Sequence, residues 1–523
     1  MGEKYILAHD MGTSGNKAIL ITVHGEIIAT TKEKYPLYYP KPGFAEHDPL
    51  EWWDAICNTT RRLLKETSIK PEEVVGITMS SMMQTLIPVD HQGNPLTRAM
   101  TWLDVRSAEI LSRKLWTPPR IIGYNIFKLL RFLIITGGTP GHTGKDQIGE
   151  ILWLREYQPE IFAQTYKFID AKDFILYQLT GNFVTSVDLA TVWWLLDSRK
   201  NRNQWHSGLC KLAGITPAQL AEVKESGALV GYLTAAAGEK LGLVTGTPVI
   251  NGAGDLTASA LGSGAVEEGE LHVRIGSSGG VGGHFKKRKI DIAHYAGCIG
   301  SANPREYYLG LAEQDTAGIC LEWIKDNVIY HQNQLIEETQ VEEVYQLFDQ
   351  LAEKAPAGAN GLIFTPWIYG ERCPLDDDTV RAGLFNLGLN HTRQHIFRAV
   401  LEGIAFNLRW AMEIMENLYQ PVKEMRMVGG GAKSDIWCQI MADVTNRIIH
   451  QVTDPDLGAA KGVALLASKT LGYIESFSAI KQYVKIKNSY QPNPENRKLY
   501  DRLFKEFKNL YKQNKHWYRR MNR

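Results

Sequence analysis

Two aspartates follow apolar runs and precede small residues, where a carboxylate could bind a metal or move a proton. Asp10 ends the run "ILAHD", and residues 12–15 (Gly-Thr-Ser-Gly) follow it. Asp255 follows the small residues 252–254 in "TPVINGAGDLTASALGSG" and could serve as a general base toward a hydroxyl. A second interpretation of Asp255 is an N-cap for a helix that begins at Leu256.

Three turns rich in small residues come directly after predicted strands, at residues 12–15, 276–280 and 429–431. Glycine lets backbone N–H groups converge on an anion without a Cβ in the way. Any one of these turns is also explained as a tight hairpin, but three together favour a polyphosphate ligand. Four hydroxyl side chains add donors to these turns: Thr13, Ser14, Ser277 and Ser278.

A further glycine-rich stretch, "GGTPGHTGKD" near residue 140, is excluded as a Walker A loop. Thr139 stands where that loop needs its first glycine, and Asp146 follows Lys145 where the loop needs Ser or Thr. The chain also lacks a GxGxxG segment between a strand and a helix. We therefore expect no dinucleotide site.

The elements that carry these turns alternate between strand and helix. The pieces "KYILAHD", "KAILITV" and "EIIATTKEKY" predict an antiparallel meander, and Asp48 with Pro49 predicts the start of a helix. Residues 269–285 repeat the opening order of strand, small-residue turn and strand. Alternation of this kind is typical of an α/β fold, and the repeat predicts two similar domains.

Length and charge restrict the class of protein further. With 523 residues the chain is expected to form at least two domains, and its formal net charge of +1 gives no field that would gather nucleic acid. Six cysteines without a CxxC pair argue against a disulfide framework or structural zinc. The start shows no signal-peptide pattern, and the apolar segment 121–136 is interrupted by Lys128 and Arg131. We expect a cytoplasmic protein that binds neither nucleic acid nor membrane, with segment 121–136 as a packed helix or loop.

The whole pattern resembles the FGGY carbohydrate kinases, and their xylulokinase-like members in particular. The matching pieces run in family order from about residue 5 to residue 500: "DMGTSGNKAIL", "SSMMQTLIPVD", "TWLDVRS", "EILWLREYQPEIF", "GAGDLTASALGSG", "IGSSGG", "GERCPLDDD", "LEGIAFNLR" and "GGGAKSDIWCQIMADVT".

The resemblance implies two actin-like, ribonuclease H-like α/β domains with a ligand cleft between them. It implies a sugar-binding N-terminal domain over residues 1–257 and a nucleotide-binding C-terminal domain over residues 258–523. It also implies ATP and Mg²⁺ as cofactors and a small sugar as substrate. A homodimer is a further possibility.

Site residues follow from the same match, position by position. Asp10 matches the family's metal-associated aspartate, and Asp255 matches its catalytic base, which also contacts the sugar. The remaining ATP contacts are Gly12, Thr13, Ser14, Lys17, Gly276, Ser277, Ser278, Gly429, Gly430, Gly431 and Ala432. The remaining sugar contacts are Met83, Gln84, Trp102, Asp104 and Arg106. A salt bridge is the alternative role for Arg106, and a core position is the alternative for Trp102.

Three positions depart from the family pattern. Gln84 replaces the histidine usual in xylulokinases, Leu256 replaces a residue that is often polar, and Glu150 stands where lysine is usual. These changes leave the expected chemistry in place, which is ATP-dependent phosphorylation of a terminal hydroxyl. They weaken the choice of acceptor, for which we rank D-xylulose first and D-ribulose, gluconate or a polyol next.

Two other functions remain open at this point. An actin-like or Hsp70-like ATPase that drives a protein partner would hydrolyse ATP regardless of sugar. A sugar-binding regulator that has lost catalysis would make no phosphorylated product. The matches at Gln84, Asp104 and Arg106 argue against the first, and the presence of both Asp10 and Asp255 argues against the second.

Overall fold

The computed structural model describes residues 2–329, 344–368 and 370–522. Two mixed β-sheets form its centre, one built from residues 5–254 and the other from residues 271–490. Helices pack on both sheets, so the predicted α/β fold with two domains is confirmed.

The first sheet opens with the predicted antiparallel meander. Its strands are β1 (Tyr5–Gly12), β2 (Gly15–Thr22), β3 (Ile27–Lys34), β4 (Val74–Ser81), β5 (Leu229–Tyr232), β6 (Pro248–Ile250) and β7 (Ala253–Gly254). The strand order is β5-β6-β4-β1-β2-β3, with β7 also paired to β4. β1 is covered on both faces and therefore reads as a nearly continuous apolar run, whereas edge strand β3 alternates half-buried and exposed residues.

The second sheet repeats this plan. Its strands are β8 (Leu271–Ile275), β9 (Gly279–Phe285), β10 (Gly297–Gly300), β11 (Tyr308–Gln314), β12 (Glu424–Val428), β13 (Ile448–Val452) and β14 (Ile486–Tyr490). The strand order is β10-β11-β9-β8-β12-β13-β14. In each sheet the first strand pairs antiparallel with the second and parallel with a later one, which is β4 or β12. The turns at residues 12–15 and 276–280, which are predicted to bind phosphate and are called the phosphate-type turns below, thus leave their sheets in the same way.

Ten helices of nine or more residues lie in the described part of the chain. They are α1 (Pro49–Thr67), α2 (Ile126–Thr136), α3 (Gln147–Tyr157), α4 (Ala171–Thr180), α5 (Asp255–Ser263), α6 (Val344–Glu353), α7 (Arg393–Leu418), α8 (Asp435–Thr445), α9 (Gly458–Thr470) and α10 (Arg497–Asn522). Shorter helices cover Pro159–Gln164, Val187–Val192, Ser207–Ala213, Ala235–Leu241 and Ile319–Ile324. Helix α1 begins as predicted, because Asp48 accepts a hydrogen bond from the Leu50 N–H and Pro49 takes the first helical position.

Small antiparallel or parallel ladders complete the fold. They pair Glu46–His47 with Ala99–Met100, Ile87–Val89 with Lys167–Ile169, Arg120–Ile121 with Tyr124–Asn125, Val184–Ser186 with Glu222–Lys224, Leu196–Asp197 with Gln204–Trp205, and Ile363–Thr365 with Gly383–Phe385. Five of the six lie between residues 46 and 224, in the half that carries the predicted sugar segments.

Helices α5 and α9 cross between the two sheets with their backbones in contact. A Cβ on Gly262 would lie 1.8 Å from the Gly458 carbonyl oxygen, and one on Gly462 would lie 2.1 Å from the Ala258 carbonyl oxygen. Helix α9 also packs against β1 and β4 of the first sheet, while α5 contacts β12 of the second. The predicted domain boundary between residues 257 and 258 falls within α5 and stays a prediction.

The close crossing makes Gly462→Ala a strongly destabilising change. The added methyl group must displace backbone rather than a side chain, so we expect unfolding to become easier by about 1 to 3 kcal/mol or more. Urea unfolding followed by tryptophan fluorescence measures this. Gly458→Ala on the same helix is the matched control, since its Cβ would meet Val428 at 3.6 Å, an ordinary contact. Equal midpoints for the two variants would contradict the crossing geometry.

Segment 121–136 forms a turn followed by helix α2. Phe132 and Ile135 are buried, whereas Phe127, Leu130 and Ile134 are each more than half exposed. One side of the segment is therefore packed, as predicted for a helix, and the other side is apolar and open. Among the described residues, none of the helices combines the length and apolarity that crossing a bilayer requires.

Candidate active site

A cleft of about 660 Å³ lies between the two halves of the molecule and draws its lining from both. Eleven of the predicted site residues line it: Asp10, Gly12, Thr13, Ser14, Lys17, Met83, Gln84, Trp102, Asp255, Ser277 and Ser278. Seven others lie outside this lining: Gly276, Gly429, Gly430, Gly431, Ala432, Asp104 and Arg106. Asp10 and Asp255, remote in sequence, thus face one space.

Asp10 is positioned by the pairing of β1 with β4. Ser80 lies opposite it in the parallel register, and the Ser80 hydroxyl donates to Asp10 Oδ1 at 2.6 Å. The following turn stays narrow because a Cβ on Gly15 would lie 2.5 Å from the Glu33 carbonyl oxygen. Glycine at position 15 is therefore required by the approach of β3.

Two contacts tie this first turn to other parts of the molecule. The Trp102 indole N–H donates to Thr13 Oγ1 at 2.9 Å, so the alternative of a purely core tryptophan does not describe it. Lys17 Nζ donates to the Asp456 carbonyl at 3.2 Å, which joins the first sheet to the loop before α9.

Asp255 is the first residue of α5, and Gly254 is the N-cap. The Gly254 N–H is itself bound by Asp188 Oδ2 at 2.7 Å, which fixes the start of the helix. The alternative in which Asp255 caps a helix from Leu256 is therefore wrong by one position. Burial raises the pKa of Asp255 to about 6, with Asp10 and Glu313 adding to the rise and Arg274 opposing it. Asp255 is consequently ionised at neutral pH but only weakly acidic, which suits a general base.

The second turn presents Ser277 and Ser278 to the cleft. The Gly276 carbonyl accepts from the Gly318 N–H at 2.9 Å, and the Ser277 carbonyl accepts from the Ala317 N–H at 2.9 Å. These bonds fasten the turn to the loop after β11.

The third turn, residues 429–432, follows β12 and packs against the second sheet. Gly429 has φ +90, and a Cβ there would lie 2.4 Å from the Ile275 carbonyl oxygen. Its N–H donates to the Pro455 carbonyl at 2.8 Å. Close packing against β8 is thus sufficient to require glycine, and the nucleotide contact stays a prediction.

The predicted sugar contacts Met83, Gln84 and Trp102 also line the cleft. Gln84 has a positive φ of 60, and its Nε2 donates to Asp146 Oδ1 at 3.1 Å. The Trp194 indole N–H donates to the same oxygen at 2.6 Å. Asp146 therefore orients the Gln84 amide, with its carbonyl oxygen left for a polar ligand.

Asp104 and Arg106 form a buried ion pair outside the cleft lining. The Arg106 guanidinium donates to Asp104 Oδ2 at 2.7 Å and to Glu46 Oε1 at 2.6 Å, and it stacks on Phe44 at 3.7 Å. Asp104 Oδ2 also accepts from the Ala45 N–H at 2.8 Å. For Arg106 this is the salt bridge that the sequence left as an alternative, and direct sugar contact by either residue stays a prediction.

Glu150, which replaces the usual lysine, is fully buried on α3. Neither carboxyl oxygen has a hydrogen-bond partner among the residues that the structure describes. Burial, reinforced by the charge of Asp104, holds the pKa of Glu150 well above its ordinary value.

Sequence reasoning missed five charged residues of the cleft lining, which are Glu322 and the members of two ion pairs. Arg274 pairs with Glu313 at 2.6 Å and Arg372 with Asp315 at 3.1 Å, and all four line the cleft. Arg274 directly precedes the predicted turn "IGSSGG", and Arg372 lies within the matched piece "GERCPLDDD". Their places beside or within matched pieces were the signals from which the sequence could have identified these two arginines.

The donor set fits Mg²⁺ held mainly by a ligand's phosphates. In the described ranges no three His, Cys, Asp or Glu side chains converge into a metal-binding group. Mg²⁺ in phosphate sites usually needs only one or two protein carboxylates. Asp10, a carboxylate facing the cleft beside a phosphate-type turn, supplies one.

Family models and relatives agree with this geometry. The N-terminal domain model of the FGGY family of carbohydrate kinases matches residues 5–262, and the C-terminal domain model matches residues 271–471. The chain is 31% identical to a xylulose kinase of Lactococcus lactis (97% of this chain, 96% of the relative) and 29% identical to a gluconokinase of Bacillus subtilis (97% and 95%). The ligand-bound xylulose kinase of Lactobacillus acidophilus superposes with a TM-score of 0.85 at 28% identity, covering 99% of this chain and 100% of that one. The expected family is confirmed: the chain belongs to the FGGY family and is a carbohydrate kinase.

Proposed function

We propose that this kinase transfers the γ-phosphoryl group of ATP to a terminal hydroxyl of a small open-chain sugar. The observation that carries the proposal is that Asp10 and Asp255 line one cleft together with two small-residue turns. D-xylulose is our first acceptor, giving xylulose 5-phosphate, because xylulose kinases are among the full-length relatives. D-ribulose and polyols follow it.

In this mechanism the protein mainly positions groups and neutralises charge. Ionised Asp255 accepts the proton of the acceptor hydroxyl, whose oxygen attacks the γ-phosphorus. Backbone N–H groups of residues 12–15 and 277–278 would donate to the phosphates. Bound Mg²⁺ would supply a Lewis acid on the phosphate oxygens, and Asp10 would hold it. Closure of the cleft would keep water from competing as acceptor.

Gluconate is a second candidate acceptor, and a lysine beside the cleft residue Trp102 favours it. Lys145 Nζ lies 5.7 Å from the centre of the Trp102 ring. Burial lowers the pKa of Lys145. Within the described ranges it has no carboxylate partner inside 4 Å, so it could receive an acidic sugar. Gluconokinase relatives of similar identity are consistent with this.

The deciding experiment measures ADP release from purified protein with Mg-ATP against pentuloses, hexuloses, polyols and aldonates. We expect release that depends on one acceptor and yields its phosphate ester, identified by mass spectrometry. Hydrolysis indifferent to every sugar would favour the ATPase alternative. Sugar binding without a phosphorylated product would favour the regulator.

The pKa of Asp255 predicts the acid limb of the pH profile. Since the base must be ionised and burial raises its pKa to about 6, kcat/KM for the acceptor should fall about tenfold per unit below that pH. Initial rates from pH 5 to 9 at constant ionic strength measure this. Return of each sample to pH 7.5 controls for denaturation. A flat profile down to pH 5 would contradict the role of Asp255.

A further inference from the structure

Three residues on adjacent strands of the second sheet form one row beside the cleft. Arg274 on β8 lies opposite Gly280 on β9, and Gly280 lies opposite Glu313 on β11. Residues in register point to the same face of a sheet, so both long side chains meet over the glycine. A Cβ on Gly280 would lie 2.2 Å from Glu313 Oε1. Gly280 is therefore what allows Arg274 to reach across a strand and bind Glu313.

The guanidinium of Arg274 faces the groups that the proposed reaction uses. Both terminal nitrogens lie 3.3 Å from Ser278 Oγ in the second turn. Burial opposes its charge, but Glu313, Asp255 and Asp10 outweigh burial and raise the pKa of Arg274. The charge of Arg274 in turn acts against the rise in the pKa of Asp255. Arg274 is thus the guanidinium placed among both aspartates and the phosphate-type turn.

Its hydrogen-bonding capacity exceeds what the protein uses. A guanidinium has five N–H donors in a rigid fork. One N–H of Arg274 donates to Glu313 Oε2 at 2.6 Å, and the two terminal nitrogens share Ser278 Oγ as a longer acceptor. The Nε of Arg274 is buried without a partner among the described residues. The side chain is only 13% exposed. An ion pair formed for stability alone would not need a site inside the cleft.

The two other cations of the cleft lining also have protein partners. Arg372 pairs with Asp315, and Lys17 binds the Asp456 carbonyl. Five carboxylates share the lining: Asp10, Asp255, Glu313, Asp315 and Glu322. A triphosphate brought among these groups needs a cation where negative charge spreads during transfer.

We propose that Arg274 is a catalytic residue whose guanidinium contacts the transferring phosphoryl group, with Glu313 holding it in place across Gly280. The inference rests on the proposed kinase reaction. In that reaction a bond forms between the acceptor oxygen and the γ-phosphorus, and the bond from this phosphorus to the bridging oxygen of ATP breaks. The hydroxyl proton passes to Asp255 and ADP leaves. Arg274 stays protonated throughout and binds the equatorial phosphoryl oxygens.

The test compares Arg274→Met, Arg274→Lys and the double variant Arg274→Met with Glu313→Gln, which removes the ion pair as a unit. We expect kcat of both Met variants to fall about 10²- to 10³-fold with KM values little changed. The kcat of the Arg274→Lys variant should fall less, because lysine keeps the positive charge although it loses the planar set of guanidinium donors. Binding of Mg-ADP should persist, but its tightening by fluoroaluminate, a phosphoryl mimic, should be lost.

Arg447→Met is the matched control. Arg447 forms a half-buried pair with Glu416 at 2.8 Å in the same half of the molecule and does not line the cleft. Its loss should lower stability without lowering kcat. Equal kcat losses in the Arg274→Met and Arg447→Met variants would overturn the proposal. So would a loss confined to KM for the sugar, or an Arg274→Met variant that recovers full kcat at pH 8.5, where Asp255 is ionised regardless.

The experiment distinguishes failure of the proposed function from failure of the role proposed for Arg274. A wild-type protein that phosphorylates none of the acceptors would refute that function, yet fluoroaluminate binding needs no acceptor. Tightening present in the wild type and lost in the Met variants would still support Arg274. Tightening retained in them would overturn its role.

Discussion

Replacing Asp255 with asparagine is expected to lower kcat by about 10²- to 10⁴-fold, with KM for ATP and acceptor little changed. The amide has nearly the same shape but cannot take up the hydroxyl proton. Sugar-dependent ADP release at saturating substrates measures the loss. Near-normal turnover would refute the assignment of Asp255 as the base.

Stability measurements separate this loss from misfolding. Folding raises the pKa of Asp255 from 3.8 to about 6, so ionisation above pH 6 costs the folded protein stability that the asparagine variant does not lose. Its melting temperature at pH 8 should be no lower than that of the wild type. Asp349→Asn is the matched control: burial also raises the pKa of Asp349 to about 6, but Asp349 lies on α6, outside the cleft lining. That variant should keep kcat.

Asp10→Asn is expected to lower kcat by about 10²- to 10³-fold and to raise the Mg²⁺ concentration needed for half-maximal rate, because several kcal/mol of charge stabilisation depends on the metal. Asp10 lines the cleft together with residues 12–15 of the first turn. Rates over a Mg²⁺ series measure the effect. Calorimetry of ADP with and without Mg²⁺ should show that Mg²⁺ no longer strengthens binding in the variant.

Ser80→Ala provides the comparison for Asp10. It removes the 2.6 Å hydrogen bond to Asp10 but keeps the charge. We expect a smaller loss of kcat and a Mg²⁺ requirement close to that of the wild type. An Asp10→Asn variant with unchanged Mg²⁺ dependence would contradict the proposed metal role.

Local signals in the sequence were sufficient to predict the two hairpins and their turns. Glycine and hydroxyl residues after apolar runs mark both turns, and the same order of strand, turn and strand recurs in each sheet. The start of the helix at Asp255 was predicted to within one residue, since the sequence suggested a helix that begins at Leu256. These features depend on neighbours close in sequence, which is why pattern alone could find them.

Long-range register was not accessible in this way. The Arg274 and Glu313 pair exists only because β8, β9 and β11 align with a glycine between the two charges. Similarly, Gly429 and Gly431 look the same in sequence whether they meet a phosphate or pack against Ile275. Choosing between such readings requires knowing which distant backbone approaches.

The backbones of α5 and α9 touch at Gly262, so a change in the angle between these helices would pivot there. Gly262 lies at the crossing and Asp255 lies seven residues away on the same helix, a lever arm of about 10 Å. With this lever arm, taken from the helix rise, a rotation of about 10° at the contact would move the Asp255 carboxylate by nearly 2 Å. A shift of that size is the difference between a formed and a broken hydrogen bond. The reach of Asp255 toward an acceptor hydroxyl would therefore depend on the angle between α5 and α9, whose contact lies about 10 Å from that residue along the helix.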